Sequence, residues 1–281
     1  MSTVLDTLQQ GTGYLEKYGV EDPRLNMQYL LAHVLKCDRM QVYVDFDRSL
    51  TEDQLVILRD LTKRRANGEP LQHLLGTSEF CGLEFKTDSR ALIPRPETEE
   101  LAEKCSKLDL PGNPQILDMG CGSGVIGISL AHLLKDIEPV VVLADISIEA
   151  LSLAEENRAS LVSDANVTLV ESDLFSHIDG PFDLIVANLP YIPHSEQTSL
   201  SKEVQQDPDL ALYGGEQGTE VIESFFSQIA EHIKSGGRIA LEYGINQEEK
   251  IQSLASDAQL HEIEVAKDLS GINRFLFAVK I

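Results

Sequence analysis

From residue 114 onward the chain alternates short apolar, β-branched runs with stretches of helical spacing, and few folds accommodate that alternation. The strand candidates are Gln115–Met119, Val140–Ala144, Val167–Val170, Leu184–Ala187 and Arg238–Glu242. Strands that alternate with helices imply a parallel sheet covered on its faces. Leu184-Ile185-Val186-Ala187 is apolar at every position, as a strand buried on both sides must be. Two more candidates, His261–Ala266 and Arg274–Ile281, flank Asp268-Leu269-Ser270-Gly271 and predict a terminal hairpin. The expected fold class is therefore α/β, a seven-stranded mixed sheet in which one strand runs antiparallel.

Ligands of such sheets bind beyond the carboxyl ends of the strands, so chemistry is sought there. The first strand ends in Asp118-Met119-Gly120-Cys121-Gly122-Ser123-Gly124, and a helix is expected to follow over Val125–Leu134. Glycines let a backbone turn tightly and approach a ligand closely, while the helix N-terminus offers free N–H groups. Residues Gly122 to Gly127 match G-x-G-x-x-G, which keeps a dinucleotide ligand open. Asp145 ends the second strand about twenty residues later, where a carboxylate accepts from both hydroxyls of a ribose. That arrangement serves NAD and any adenosyl cofactor alike. After the third strand, Asp173 with Leu174 suits an adenine amino group and its ring, or else Asp173 caps a helix.

The fourth strand runs into Asn188-Leu189-Pro190-Tyr191. Proline fixes its own φ and extends the residue before it, so this strand end is a stiff shelf. A planar NH2 group suits it. The Asn188 side-chain oxygen and the Leu189 carbonyl can accept its two protons while the Tyr191 ring stacks on its face.

The remainder of the chain supplies architecture. Residues 1–75 read as a helical unit, with Asp22-Pro23 as one helix start and Thr51 with Gln54 as a capping box at another. Lys63, Arg64 and Arg65 fall in the last turn of that second helix, where cations complement the dipole. Residues 76–95 suggest a β-hairpin connector around Gly82, and residues 96–281 the sheet domain. The four cysteines are scattered without metal-ligand spacing, as in a cytoplasmic protein with reduced thiols. Residues 1–16 hold no Lys or Arg and no continuous apolar core, so neither a signal peptide nor a membrane span is expected. Formal net charge is −23. Residues 76–281 hold 14 Lys and Arg against 35 Asp and Glu, a poor platform for nucleic acid. We expect a monomer.

These features together resemble the S-adenosylmethionine-dependent amino-methyltransferases: Leu117-Asp118-x-Gly-x-Gly-x-Gly124, the acid at 145, Asp173-Leu174 and Asn188-x-Pro-Tyr191. More specifically, the whole chain resembles the HemK/PrmC family of protein-(glutamine-N5) methyltransferases. The resemblance also rests on the helical N-terminal unit, Pro70-Leu-x-x-Leu-x-Gly76 with Glu79-Phe80, and Leu92-Ile-Pro-Arg-Pro-Glu-Thr-Glu99. Gly214-Gly-x-x-Gly218 and Asp268-Leu-x-Gly-x-x-Arg274 complete it. It implies a class I, Rossmann-like methyltransferase acting on the glutamine of the Gly-Gly-Gln motif in peptide chain release factors, with residues 1–75 as a substrate-recognition domain. It implies S-adenosylmethionine held by Gly120, Cys121, Gly122, Ser123, Gly124 and Asn188, with Asp145 on the ribose and Asp173 and Leu174 at the adenine. Asn188, Leu189, Pro190 and Tyr191 would then receive the substrate amide, with Asn188, Pro190 and Tyr191 as the catalytic residues. The family usually shows Asn-Pro-Pro-Tyr, and Leu189 departs from it. Asn-Leu-Pro-Tyr is similar to the motif of rRNA adenine dimethyltransferases, so an N6-adenine methyltransferase is the alternative. An NAD-dependent oxidoreductase, or a cofactor-binding protein without activity, leaves the shelf unexplained.

Overall fold

The computed structural model describes residues 2–281. The chain divides into two compact units, Met1–Thr77 with Ser201–Gln206, and Ser78–Leu200 with Asp207–Ile281. The first unit is helical: α1 (Val4–Lys17), α2 (Pro23–Leu35), α3 (Arg39–Val44), α4 (Glu52–Ala66) and α5 (Leu71–Leu75). Reciprocal capping boxes start α1 at Thr3 and Asp6 and α4 at Thr51 and Gln54, each satisfying two otherwise orphaned backbone donors. Leu8, Leu15, Met27, Leu30, Leu31 and Leu58 fill its interior. Arg65 does not serve the helix end from the surface, as its position in the last turn suggested. It is 3 % exposed, donates to Asn26 Oδ1 at 2.6 Å and pairs with Glu203 from the Ser201–Gln206 segment.

The second unit opens with the hairpin β1 (Thr77–Phe80) and β2 (Leu83–Lys86), whose first residue belongs to the helical unit. Phe80 and Phe85 meet edge to face with centroids 6.0 Å apart and sit in the core of the sheet domain, so the hairpin is part of that core. Next come α6 (Pro96–Ser106), β3 (Gln115–Met119), α7 (Val125–Leu133), β4 (Val140–Asp145), α8 (Ile148–Leu161), β5 (Asn166–Glu171) and β6 (Phe182–Asn188). Then follow β7 (Ile192–Pro193), α9 (Asp209–Leu212), β8 (Tyr213–Gly215), α10 (Glu220–Gln228), β9 (Ile233–Glu242), α11 (Glu248–Asp257), β10 (Leu260–Lys267) and β11 (Asn273–Lys280).

Seven strands form one sheet in the order β10-β11-β9-β6-β3-β4-β5, and β11 alone opposes the others, as the terminal hairpin predicted. Successive side chains of a strand face opposite sides of its sheet. Accordingly Ile116, Leu184 and Val186 pack under α6, α7 and α8 on one face. Leu117, Ile185 and Ala187 pack under α10 and α11 on the other. Strands sandwiched this way must be apolar throughout, which is why β6 reads as an unbroken hydrophobic run. The register sets the site. Met119 pairs with Ala187 across β3 and β6, and Asn188 pairs with Glu242 across β6 and β9, so the strand ends form one edge.

Candidate active site

A cleft of about 620 Å³ lies along that edge, entirely within the second unit. Its lining includes Gly120, Cys121, Gly122, Ser123, Asp145, Asp173, Leu174, Asn188, Leu189 and Pro190. The expected residues thus converge, with two exceptions. Gly124 and Tyr191 are not among the lining residues.

The loop after β3 takes its shape from glycine. Gly120, Gly122 and Gly124 have φ of +70°, +56° and +82°, a region that costs other residues ~1–2 kcal/mol each. At Gly120 a Cβ would also lie 2.9 Å from Leu189 Cδ2, and at Gly124 one would lie 2.7 Å from Ile128 Cδ1. Gly127 is inside α7, where a Cβ would meet Leu143 Cδ2 at 2.2 Å, so it secures helix-on-sheet packing rather than ligand approach. Asp118 accepts from the free Gly127 N–H at 2.8 Å and so caps α7 from the strand end. Its complete burial pushes that carboxyl up to about 7. Cys121 is buried, which pushes its thiol well above the ordinary range and leaves it a poor nucleophile.

Asp145 closes the loop from β4. One oxygen accepts from Gly122 N at 2.8 Å and the other from Ser147 N at 2.9 Å. Each carboxylate oxygen has a second lone pair, so both remain able to accept from a pair of vicinal hydroxyls. Burial raises its pKa, partly offset by these backbone donors. No helix follows β5, so Asp173 is not a helix cap. It is exposed at the start of a turn that Ser172 holds, its hydroxyl donating to Leu174 O at 2.6 Å and accepting from His177 N at 3.0 Å. Leu174 has φ +45°, a strained value for a residue with a Cβ, and this conformation presents it at the cleft.

The shelf is held from behind by residues that its own four-residue motif does not reveal. Asn188 Nδ2 donates to Thr98 Oγ1 at 2.8 Å, and that hydroxyl donates to Glu242 Oε2 at 2.7 Å. The Tyr191 hydroxyl stands 3.5 Å from the other Glu242 oxygen. Burial pushes Glu242 up to about 7, against the pull of Thr98 and Arg274, and raises the Tyr191 phenol as well. Gln247 Nε2 donates to Tyr191 O at 2.9 Å. Gly214 and Gly218 let another loop lie against the shelf backbone: Cβ atoms there would meet Pro190 O at 2.4 Å and Tyr191 O at 2.5 Å.

The segment around Arg95 acts as a tie. Arg95 pairs with buried Asp207 at 2.6 Å, and Ile93 N donates to the same carboxylate. Glu99 accepts from Cys81 N at 2.7 Å, and Glu100 from Leu269 N at 3.1 Å. Asp268 shapes the β10–β11 turn by accepting from Ile272 N at 2.8 Å. Among the described residues no cluster of His, Cys, Asp or Glu could hold a metal ion, and no helix is long and apolar enough to cross a membrane.

The seven-stranded mixed sheet, with its cleft along the strand ends, has the fold of a class I methyltransferase. Solved structures agree on the fold. A methyltransferase from Pyrococcus furiosus superposes with a TM-score of 0.53 at 20% identity, over 71% of this chain and 89% of its own. The ribosomal protein L11 methylase of Lactobacillus delbrueckii subsp. bulgaricus gives 0.50 at 22% identity, over 68% and 82%. Residues 6–76 match the family model described as PrmC N-terminal domain, and residues 98–209 the Methyltransferase small domain. The chain is 38% identical to the release factor glutamine methyltransferase of Geobacter sulfurreducens, over 97% of this chain and 95% of that one. It is 33% identical to the human MTRF1L release factor glutamine methyltransferase, over 98% and 87%. The chain belongs to the release factor glutamine methyltransferase family.

Proposed function

We propose that this chain methylates the side-chain amide nitrogen (N5) of the glutamine in the Gly-Gly-Gln motif of peptide chain release factors, using S-adenosylmethionine. One observation carries the reading most directly: the Asn188 amide, whose Nδ2 is engaged by Thr98, stands in the same cleft as the glycine loop. Its remaining acceptor, Oδ1, matches an incoming primary amide.

The cradle fits the cofactor. Gly120 to Gly124 leave room and N–H groups for its methionine part, Asp145 has lone pairs for its ribose, and Asp173 with Leu174 borders the place for adenine. When bound, S-adenosylmethionine supplies an electrophilic methyl group and departs as a neutral thioether. The protein's task is to make an amide nitrogen, whose lone pair is delocalised, act as a nucleophile. Asn188 Oδ1 and the Leu189 carbonyl accept its two N–H protons and fix its direction of approach. Oriented acceptors of this kind give catalysis by positioning and preorganised electrostatics. No dedicated base is required, because the methylated nitrogen loses its proton readily to water.

The helical unit reads as a grip on a second part of the release factor. Met40 and Val44, one turn apart on α3, are exposed there. A monomer in the cytoplasm fits four free cysteines and an acidic sheet domain, and leaves nucleic acid out of the complex. The test is transfer of a labelled methyl group onto purified release factor, with a factor carrying a substituted glutamine in Gly-Gly-Gln as control. Label on the wild-type factor alone is expected. Equal label on both, or none on either, would overturn the reading.

A further inference from the structure

An Asn side chain has an oxygen and an NH2 of nearly equal size, so nothing in its shape decides which one meets a ligand. At this shelf the choice matters. The substrate reading above, on which this inference rests, requires the oxygen to face an incoming NH2. A flipped Asn188 would set donor against donor.

The decision lies behind the shelf. Thr98 has one hydroxyl proton. It is committed at 2.7 Å to Glu242 Oε2, within the short range of a charge-assisted O–H···O⁻ bond. The Thr98 oxygen is then left as an acceptor only, and it takes the Asn188 NH2 at 2.8 Å. Thr98 and Glu242 are 4 % and 1 % exposed, so water does not replace either partner. We propose that Glu242 is a positioning residue: its carboxylate, acting through Thr98, locks the Asn188 amide with its oxygen towards the substrate.

The lock depends on charge. An ionised carboxylate can only accept, which forces the polarity Asn188 to Thr98 to Glu242. A protonated Glu242 can itself donate to Thr98. The Thr98 proton is then free to turn to Asn188, and the amide loses its preference. The groups facing Glu242 are Thr98 and Glu97 from α6, Tyr191 beyond β6, and Arg274 from β11. Burial sets its ionisation near neutrality, with Arg274 favouring the charged form and Glu97 opposing it. The competent form is the ionised one, so turnover should rise with pH through that ionisation.

The test combines three variants with a spectroscopic readout. Glu242→Gln and Thr98→Val each should lower kcat at pH 8 by about ten- to a hundredfold, a scale set by misoriented reacting groups. Titrated cofactor affinity should stay within about twofold, which also reports that the fold is intact. Thr98→Ser, which keeps the hydroxyl, should restore most of what Thr98→Val loses. The ratio of wild-type to Glu242→Gln turnover should shrink as pH falls below 7, because the wild type then loses its own lock. Side-chain 15N–1H signals of Asn188, followed without substrate, should titrate with Glu242 in the wild type and lose that response in Thr98→Val. Unchanged kcat in Glu242→Gln, equal losses in Thr98→Val and Thr98→Ser, or Asn188 signals blind to both changes would overturn the proposal. A wild type that leaves release factor unlabelled would instead count against the substrate reading, and the amide titration would still decide the role of Glu242.

Discussion

The loop at Gly120–Gly124 is held through its backbone groups, whereas the shelf at Asn188–Tyr191, on the adjacent strand, has its Asn and Tyr side chains held by side chains from distant elements. The first rests on three positive-φ glycines and on backbone groups that bond outward: Gly120 and Cys121 N–H donate to Ala144 O, Gly122 N–H donates to Asp145, and Ser123 O accepts from Asn157. The second needs Thr98 from α6, Glu242 from β9 and Gln247 beyond it. The difference follows from what each half must do. A cradle has to leave space and offer N–H groups, which bare backbone does well. A shelf that orients an amide must choose between two groups of similar shape, and only a network with a defined donor direction does that. The halves meet at Gly120, where a Cβ would come within 2.9 Å of Leu189 Cδ2.

If the halves are separable, variants should split their effects. The largest effect is expected from Asn188→Ala, which removes the orienting acceptor. Its kcat should fall by about a hundred- to a thousandfold, on the scale of losing one preorganised polar group from a reacting centre. Gly120→Ala strains the cradle through its left-handed φ and its 2.9 Å approach to Leu189, and should weaken cofactor binding by roughly tenfold. Titration of the double variant Gly120→Ala, Leu189→Ala should recover part of that loss, because the 2.9 Å clash is relieved while the φ penalty stays. No recovery would mean that the two halves do not meet through Leu189. The smallest effect belongs outside the cleft. Met40→Glu with Val44→Glu should raise the KM for release factor by about two- to fivefold, since most interface residues contribute under ~1 kcal/mol. Steady-state kinetics showing an unchanged KM would remove α3 from substrate recognition.

The same contrast explains what the sequence could tell. All seven strands of the sheet, and the antiparallel place of β11, follow from local patterns: apolar runs, helical spacing and a turn at Asp268–Gly271. The glycine loop is equally local, because its residues are neighbours in the chain. Thr98 and Glu242 are 144 positions apart, and neither carries a local signature of its partnership. Thr98 lies in the Leu92–Glu99 motif, but nothing in that motif shows which residue it meets. A carboxylate closing the apolar run Ile239-Ala240-Leu241 was the one available signal, since a strand interior tolerates a buried acid only with a partner. Arg65 misleads in the opposite direction. Its place in a basic last turn suggests a surface charge, and only the packing of Asn26 and Glu203 around it shows otherwise. The glycines at 214 and 218 also gain a reason only in three dimensions, through the closeness of Pro190 and Tyr191.

Cofactor holding and amide orientation fall to separate halves of the cleft. Cofactor titration and single-turnover methyl transfer, run side by side on Asn188→Ala and Gly120→Ala, test it most directly. Asn188→Ala should bind S-adenosylmethionine within about twofold of the wild type yet transfer at least about a hundredfold more slowly. Gly120→Ala should bind the cofactor weakly and transfer at a near-normal rate once saturated. Near-normal transfer by Asn188→Ala with the cofactor bound, or parallel losses of binding and rate in both variants, would contradict it.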